Sequence, residues 1–264
     1  MSSAPAYPRA LAIVPARLAS QRLPRKMLLA ETGLPLCVHT VRNLRRCAAL
    51  ARVVLAVDDA EVLAAAQSHG VEAVMTRVEH ASGTDRVHEA AAKVGGDFEV
   101  VVNVQGDEPE LDPKDLERLV AVFRDPAVEA GTLAAPFQQP EEALEPQVVK
   151  VVRAENGDAL YFSRAPIPHR SLDATRSYAR ADARPWAEVA RRHVGVYAFR
   201  PAALERFVRS PAGVLERVEN LEQLRWLEQG GRMRVVDARR VPLGIDTRAD
   251  YDAFVGRFRS TAAR

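Results

Sequence analysis

The segment Ala10–Lys26 reads ALAIVPARLASQRLPRK, and the interpretation of the whole chain starts from it. Its first five residues form a continuous apolar run that stops at Pro15, which predicts a buried strand. Basic side chains directly after such a strand predict a loop that binds an anion, although a solvent-exposed basic turn is an open alternative. Only four of the 37 basic residues in the chain are lysines, so Lys26 is more informative than any single arginine. The basic residues of the segment are Arg17, Arg22, Arg25 and Lys26.

Apolar runs of strand length alternate with helical patterns through the first half of the chain. Short apolar strands between helices predict a parallel sheet that is covered on both faces. Ligands bind at the carboxyl ends of the strands in such sheets, so the loops after residues 14 and 104 are expected at one edge. The predicted strands are 10–14, 53–57, 73–75 and 100–104, and the predicted helices are 36–48, 59–69, 84–93 and 113–123.

The second half is less regular, and it is predicted to be a smaller, more β-rich portion inserted into a single α/β domain. Apolar residues at every third position predict a helix over Leu215–Glu228. The segment Ser163–Arg192 has three prolines, seven arginines and no periodicity, so we expect a lid, an interface arm or a long loop. The predicted strands of this half are 148–152, 159–162, 194–199 and 234–236.

Composition and charge exclude several classes of protein. The chain is 47% apolar and 27% charged with a formal net charge of +2, which is typical of a soluble globular protein and gives no general case for nucleic-acid or membrane binding. The sequence contains no stretch of about 18 apolar residues, so it predicts no membrane-spanning helix. The N-terminal residues lack the apolar segment of a signal peptide, so we expect a cytoplasmic protein. Cys37 and Cys47 are expected to be reduced, buried thiols.

The segment Phe98–Leu111 reads FEVVVNVQGDEPEL and is predicted to bring polar residues to the same edge of the sheet. Asp112 directly precedes a proline and is expected to cap the next helix, which leaves Asp107 without a capping role. The Arg and Lys side chains after the first strand suit a polyphosphate, and a triphosphate normally carries Mg²⁺, which takes one or two protein carboxylates. Asp107 is therefore predicted to be a ligand of that ion.

Two further segments have the spacing of a capping box. Thr247 and Asp250 have it, so Asp246 is either a second carboxylate of the site or a structural residue at the start of a helix. SGTDR, at residues 82–86, has the same spacing together with a glycine that would let a ligand approach the backbone.

The histidines give one candidate. His39, His69, His80 and His88 are most simply helix-surface or loop residues. His193 begins an apolar strand after the arginine-rich segment, so it is a candidate to face a pocket. The sequence has no Ser/His/Asp triad, CxxC or HExxH arrangement.

Taken together, these segments resemble the 3-deoxy-manno-octulosonate (KDO) cytidylyltransferases over nearly the full length of the chain. The resemblance implies a Rossmann-like nucleotidyltransferase fold in one domain, 1–264. Its nucleotide-binding part would span about 9–135, its sugar-binding and dimerisation part about 136–230, and its return to the main sheet about 231–264. The motifs that carry the resemblance are IVPARLASQRLPRK, MTRVEHASGTDR, VVNVQGDEP, VKVV, ALYFSRAPIP, RHVGVYAFR, VENLEQLRWL and GIDT.

The resemblance also implies an activity. Such enzymes transfer CMP from CTP to the anomeric hydroxyl of KDO with Mg²⁺, releasing pyrophosphate, as homodimers that serve lipopolysaccharide biosynthesis. The implied catalytic residues are Arg17, Lys26, Asp107 and Asp246, of which the two aspartates would bind the metal. The implied nucleotide-binding residues are Pro15, Ala16, Arg17, Arg22, Lys26, Ser82, Gly83 and Arg86. The implied sugar-binding residues are Gln105, Arg164, His193, Tyr197, Glu222 and Gln223.

The sequence departs from this family at two places. Arg25 stands where the family usually has glycine, so a positive φ at that position would require a rebuilt loop and would put the role of Lys26 in question. The IPHRS continuation after Arg164 also differs from the commoner aromatic-acidic one.

Two other functions stay open at this point. One is a cytidylyltransferase for an amino-KDO or another acidic sugar. The other is a non-enzymatic anion or RNA binder that uses Ser163–Arg192, which is disfavoured because that segment is acidic as well as basic and has few aromatic residues for base stacking. We therefore expect CTP and KDO as partners, and neither nucleic acid nor membrane.

Overall fold

The computed structural model describes residues 7–169 and 189–262, which form two compact units. Unit 1 contains residues 7–120 and 242–262, and unit 2 contains the described residues of 121–241. The sequence predicted a single domain with internal boundaries near residues 135 and 230. That domain organisation stays a prediction. Among the described residues, no helix has the length and apolar character needed to cross a membrane.

Nine strands and eight α-helices lie within the described residues. The strands are β1 (Ala10–Ala16), β2 (Leu50–Val57), β3 (Ala73–Met75), β4 (Val100–Asn103), β5 (Ala130–Ala135), β6 (Lys150–Arg153), β7 (Ala159–Ser163), β8 (Ala190–Phe199) and β9 (Met233–Asp237). The helices are α1 (Leu36–Leu44), α2 (Ala60–Ser68), α3 (Gly83–Val94), α4 (Pro113–Ala121), α5 (Pro201–Arg209), α6 (Val214–Glu219), α7 (Leu224–Glu228) and α8 (Arg248–Ala262).

Unit 1 is built on a parallel sheet in the strand order β3-β2-β1-β4, which confirms the α/β prediction. Every residue of β1 and β4 is buried, as expected for strands that are covered on both faces. Chain order changes direction between β1 and β4, and sheets of this kind bind ligands in the crevice at the carboxyl ends of strands at such a point.

Unit 2 has a mixed sheet. Its strand β5 lies between antiparallel β8 and parallel β9, and β6 pairs antiparallel with both β7 and β8. Phe199, Phe207 and Trp226 form an aromatic cluster with ring centroids 5.4 to 6.4 Å apart. The Trp226 Nε1–H donates to the Arg232 carbonyl at 2.9 Å, so the indole is buried with its polar atom satisfied.

The prediction of one helix over Leu215–Glu228 was wrong. The chain forms α6 and α7 instead, separated by Asn220, which has the left-handed φ of 52°. Asparagine is one of the few residues other than glycine that adopt this conformation readily, and it ends the helix. As a result Val218 is 76% exposed, whereas Leu224 is buried.

Other differences concern the edges of elements. The sequence patterns did not indicate β5 or α5, and β8 begins at Ala190, inside the segment Ser163–Arg192 that was predicted to lack regular structure. Residues 170–188 of that segment lie outside the described residues. The expectation of a lid or arm there therefore stays a prediction.

The expectation of a helix-surface or loop position was wrong for His39, which is buried in α1, and it holds for His80, which lies in the loop before α3. His39 packs edge-on against two phenylalanine rings of α8 and contacts Thr32 Oγ1 at 2.6 Å, and burial lowers its pKa. The His80 side chain is buried and contacts the Glu89 carboxylate. Both cysteines are buried and unpaired, as predicted.

Candidate active site

A cavity of about 780 Å³ opens at the carboxyl edge of the unit 1 sheet. Its walls come from the loop after β1, the start of α3, the loop after β4 and the segment before α8. Of the predicted site residues, it does not include Ala16, Ser82 or those of unit 2. The predicted residues that line it are Pro15, Arg17, Arg22, Lys26, Gly83, Arg86, Gln105, Asp107 and Asp246.

The loop after β1 begins two residues later than predicted. Pro15 and Ala16 belong to β1, because they continue its register with β2 opposite Ala56 and Val57. The pairing of β1 with β4 ends earlier, at Ile13, which lies opposite Asn103. Proline is tolerated in a strand where a ladder hydrogen bond is not needed, so the strand extends to the rim of the cavity.

Arg25 stands where the resembling family usually has glycine, and its φ is positive. Its φ of 55° and ψ of 28° are left-handed, and its guanidinium is ion-paired with Glu61. A 3-10 helix, Lys26–Leu28, begins directly after it. The arginine therefore adopts the backbone conformation itself, and Lys26 lies in the cavity wall.

The Lys26 ammonium joins three segments that are far apart in the sequence. Its Nζ donates to Asp107 Oδ2 at 2.5 Å, to the Ile245 carbonyl at 2.8 Å and to Asp246 Oδ1 at 3.4 Å. The Arg22 guanidinium donates to Asp246 Oδ1 at 2.8 Å. Both predicted aspartates thus converge on one buried cation.

Asp246 is not a capping residue. The box at the start of α8 is closed by the Asp250 carboxylate, which accepts from Thr247 and from the Asp246 backbone N–H. The Asp246 carboxylate itself faces Lys26 and Arg22, so its contacts belong to the cavity wall and not to the helix cap. Asp112 accepts from the backbone of Lys114 and caps α4, as predicted.

Two convergent carboxylates suit a hard divalent cation that completes its shell with water and phosphate oxygens. Among the described residues, no group of three or more His, Cys, Asp or Glu side chains is arranged to hold a metal. Asp107 and Asp246 are thus the two residues of the cavity that could hold such an ion.

Sequence reasoning missed Glu108. Burial raises the pKa of its carboxyl to about 8, and the negative charges of Asp107 and Asp246 act in the same direction. Its Oε2 atom is buried without a hydrogen-bond partner among the described residues. The only signal in the sequence was that Glu108 directly follows Asp107 in QGDEP. The burial of Glu108 does not follow from that pattern.

The loop after β4 is packed tightly under the cavity. A Cβ atom on Gly106 would lie 2.9 Å from the Pro15 carbonyl oxygen and 3.0 Å from Met27 Sδ. Thr40 Oγ1 on α1 donates to the Gly106 carbonyl at 2.8 Å. These contacts hold the backbone at Gly106 in place, and they thereby position the adjacent residue, Asp107.

The start of α3 confirms the predicted capping box. Ser82 Oγ accepts from the Asp85 backbone N–H, and the Asp85 carboxylate accepts from the Ser82 N–H, both at 3.1 Å. The Ser82 side chain is thus engaged in the helix. A Cβ on Gly83 would make only ordinary contacts, 3.7 Å from Gln105 Nε2 and from Pro15 Cγ, so its backbone is open to the cavity.

Arg86 is the most buried cation of the cavity wall, with 1% of its side chain exposed. One terminal nitrogen donates to Asp58 Oδ2 at 3.1 Å and the other to Thr76 Oγ1 at 2.6 Å. Burial lowers the pKa of Arg86, Asp58 opposes that shift, and Arg17 adds to it. Asp58 was missed, although its position directly after β2 was the same signal that marked the other loops.

The predicted sugar-binding residues are divided between the units. Gln105 lines the cavity of unit 1. In unit 2, the Tyr197 hydroxyl donates to Gln223 Oε1 at 3.1 Å, and burial, with the charge of Glu222, raises the pKa of Tyr197. Gln223 Nε2 is buried and has no hydrogen-bond partner among the described residues.

His193 and Arg164 are held by neutral groups. His193 Nε2 contacts Thr132 Oγ1 at 2.9 Å, and burial lowers the pKa of His193 to about 3, so the ring is neutral at physiological pH. The Arg164 guanidinium donates to three backbone carbonyls at 2.8 to 3.2 Å. These carbonyls, of Pro146, Glu219 and Asn220, leave other N–H groups of the fork for a ligand.

Comparison with known proteins gives a consistent result. The chain matches the cytidylyltransferase family over residues 11–236. It is 48% identical to a 3-deoxy-manno-octulosonate cytidylyltransferase of Nitratidesulfovibrio vulgaris (strain DP4) over 94% of this chain and 95% of that protein. A protein of the same name from Anaeromyxobacter sp. (strain Fw109-5) is 47% identical over 92% of this chain and 94% of its own length.

A solved structure is also similar. It is a CMP:2-keto-3-deoxy-manno-octonic acid synthetase in complex with CTP, and it shares 36% sequence identity with this chain. The two superpose with a TM-score of 0.86 over 96% of this chain and 99% of that one. The likeness therefore extends over sequence and fold together.

Proposed function

Because the chain belongs to the 3-deoxy-manno-octulosonate cytidylyltransferases of the cytidylyltransferase family, we propose that it transfers CMP from CTP to the anomeric hydroxyl of KDO. The observation that carries the proposal is the convergence of Asp107 and Asp246 on Lys26 in the wall of one cavity. A polyphosphate needs cations, and its metal needs carboxylates, at one place. This cavity supplies both.

The triphosphate of CTP binds in the cavity of unit 1. Arg17, Arg22 and Lys26 supply positive charge to its oxygens, and the open backbone at Gly83 lets the nucleotide approach α3. The cavity volume of about 780 Å³ lies in the range of small-molecule sites. Among the described residues Arg17 has no ion-pair partner, which makes it the cation most available to a phosphate.

Asp107 and Asp246 would hold Mg²⁺ together with the phosphates. When bound, the ion neutralises the charge that develops on the phosphate oxygens. Lys26 lies between the two carboxylates, so its ammonium balances their charge and keeps them close together. This pairing orients both acids before any ligand arrives.

The reaction needs no covalent protein intermediate. The KDO hydroxyl attacks the α-phosphorus of CTP in line and loses its proton to solvent, the bond from that phosphorus to the bridging oxygen breaks, and pyrophosphate leaves with the electron pair. The protein contributes position and charge, which is how such displacements are accelerated. Arg17 and Lys26 are placed to stabilise the developing negative charge.

The acidic sugar is recognised by residues of unit 2. Arg164 supplies the cation for the KDO carboxylate, and Gln223 Nε2, His193, Tyr197 and Glu222 supply neutral and acidic groups for its hydroxyls. The unpartnered Gln223 Nε2 supports this assignment, because a buried donor without an acceptor is costly unless a ligand satisfies it. A site of this kind rejects sugars that lack the matching hydroxyl.

The test is pyrophosphate release from CTP with a panel of acidic sugars, with and without Mg²⁺. The panel contains KDO, an amino-substituted KDO and a nonulosonic acid, and UTP replaces CTP as the nucleotide control. We expect turnover with CTP, KDO and Mg²⁺ and much less with any one of them replaced or left out. Release with the amino sugar but not with KDO would correct the substrate, and no release with any acidic sugar would overturn the proposal.

We also propose that the enzyme is a cytoplasmic homodimer whose product supplies the acidic sugar of lipopolysaccharide. Three apolar side chains of unit 2, Leu160, Val214 and Val218, are 61 to 76% exposed, which supports a contact with another chain. Light scattering at micromolar concentration should give twice the chain mass of 29.0 kDa. A single-chain mass would rule the dimer out.

A further inference from the structure

We infer that Asp58 is a positioning residue for nucleotide binding, which holds the Arg86 guanidinium and the backbone at Leu18 in place beside the cavity. The inference rests on the proposed function and adds a residue to it. Asp58 does not line the nucleotide cavity, and it borders a separate cavity of about 410 Å³. It therefore acts through the two groups that it contacts.

The geometry of Asp58 uses both carboxylate oxygens. Oδ1 accepts from the Leu18 backbone N–H at 3.1 Å, and Oδ2 accepts from an Arg86 terminal nitrogen at 3.1 Å. Leu18 directly follows Arg17 in the loop after β1, whereas Arg86 lies in α3. One side chain, 8% exposed, thus ties together two walls of the cavity that lie about 70 residues apart in the sequence.

The electrostatics give the same result. Arg86 is a buried cation with another cation, Arg17, close enough to disfavour its charge. Among the described residues, Asp58 is the only carboxylate within ion-pair distance of Arg86. Without it, Arg86 would be a buried charge with no carboxylate within ion-pair distance, and such groups move or lose their orientation.

An amide cannot replace this carboxylate. Asparagine has one oxygen and one NH₂ group, so whichever way it turns, either Leu18 or Arg86 meets a donor instead of an acceptor. Asp58→Asn therefore removes one of the two contacts while keeping the size of the side chain. The adjacent Asp59 is a matched control, since its carboxylate caps α2 by accepting from Glu61, and asparagine caps equally well.

The experiment measures the Kd of CTP by calorimetry, and both KM values, for the full chain with Asp58→Asn or Asp59→Asn. We expect Asp58→Asn to weaken CTP binding by about tenfold or more and to leave the KM for KDO within about twofold, with Asp59→Asn unchanged. A folded Asp58→Asn chain with the wild-type Kd, even one that unfolds at a lower temperature, would overturn the inference. A wild-type chain that binds no CTP would overturn the proposed function instead.

A second pair of variants applies if Asp58→Asn does not fold. Thr76→Val removes the hydroxyl that accepts from the other Arg86 nitrogen, whereas Thr76→Ser keeps it. We expect CTP to bind several-fold more weakly to the Val variant than to the Ser variant, because Arg86 then lacks an acceptor that orients it. Equal Kd values for the two would overturn the inference.

Discussion

Three predicted cations of unit 1, Arg22, Lys26 and Arg86, are held by carboxylates, whereas the Arg164 guanidinium and the His193 ring of unit 2 contact neutral groups. In unit 1, Lys26 contacts two aspartates and Arg86 contacts a third. In unit 2, Arg164 donates to backbone carbonyls and His193 is an uncharged ring. On the proposed function, we therefore expect nucleotide binding to depend on a balance of charge, and sugar binding on the placement of donors and acceptors.

The largest effect is expected when the charge balance of unit 1 is broken. Asp107→Asn removes one of two carboxylates and should lower kcat on the order of 10²- to 10³-fold, because that charge is needed mainly in the transition state. Thermal unfolding should change little. Steady-state kinetics at several Mg²⁺ concentrations measure the effect.

Asp112→Asn is the control for this prediction. Asp112 lies in the same loop and caps α4, and asparagine is an equally good cap. It should leave kcat unchanged. Near-normal turnover of Asp107→Asn at limiting Mg²⁺ would show that Asp107 does not bind the metal, and the contrast between the units would lose its strongest support.

A smaller loss is expected from the cation of unit 2. Arg164→Ala should raise the KM for KDO about 10- to 100-fold, the value of a charge-assisted hydrogen bond, and should leave the KM for CTP unchanged. Arg164→Lys should recover little, since a lysine cannot reproduce the fork that the three carbonyls orient. Separate titrations of the two substrates measure this.

The matched control is Arg209→Ala, because Arg209 is an exposed arginine of α5 that pairs with Glu205 of the same helix. It should change neither constant. Equal damage to both substrates by Arg164→Ala would point to a folding role for Arg164. The distinction between the two sets of residues would then fail.

The neutrality of His193 predicts a dependence of stability on pH. Its pKa of about 3 in the folded chain lies below its ordinary value of about 6.5, so the unfolded chain binds one more proton between these values. Stability should therefore rise with pH through this window and fall by up to about 1.4 kcal/mol per pH unit as the solution is acidified below pH 6.5.

Urea unfolding at pH 7 and pH 5 tests this dependence. His193→Gln should reduce the loss of unfolding free energy on acidification, whereas His69→Gln, at a partly exposed position, should not. An unchanged pH dependence for His193→Gln would mean that the ring is not held neutral. The contrast between charged contacts in unit 1 and neutral contacts in unit 2 would then lose His193 as support.

The smallest effect is expected at Arg25. A left-handed residue other than glycine costs on the order of 1 kcal/mol, so Arg25→Gly should slightly raise the free energy of unfolding and leave CTP kinetics unchanged. Glu61→Gln removes only the exposed ion pair and separates the two contributions. A large rise in the KM for CTP on Arg25→Gly would show that the arginine itself binds the nucleotide.

The sequence predicted unit 1 better than unit 2, for a physical reason. In unit 1, buried parallel strands give unbroken apolar runs between helices, and four strands were recognised from them. In unit 2, β5 consists of AGTLAA, whose small residues carry little pattern, and one left-handed asparagine divided a helix whose apolar spacing was otherwise regular. A local conformation of this kind is decided by the surrounding packing.

Site residues were predictable by type and position along strands, but not by their contacts. The carboxyl-end rule indicated Arg17, Gln105 and Asp107. The same rule applied to β2 would have indicated Asp58. The pairing of Lys26 with groups 81 and 220 residues away depends on the tertiary fold, and so does the burial of Glu108.

The tight packing at Gly106 has a consequence for how this sequence can diverge. No other side chain fits between Pro15 and Met27, so a library randomised at this codon should return glycine alone among folded clones. At Gly83 the protein itself has room for alanine, so folded clones with alanine should be common and only selection for nucleotide use should remove them. On the proposed function, two glycines beside one cavity are thus expected to be constrained by different pressures, one by the fold and the other by the ligand.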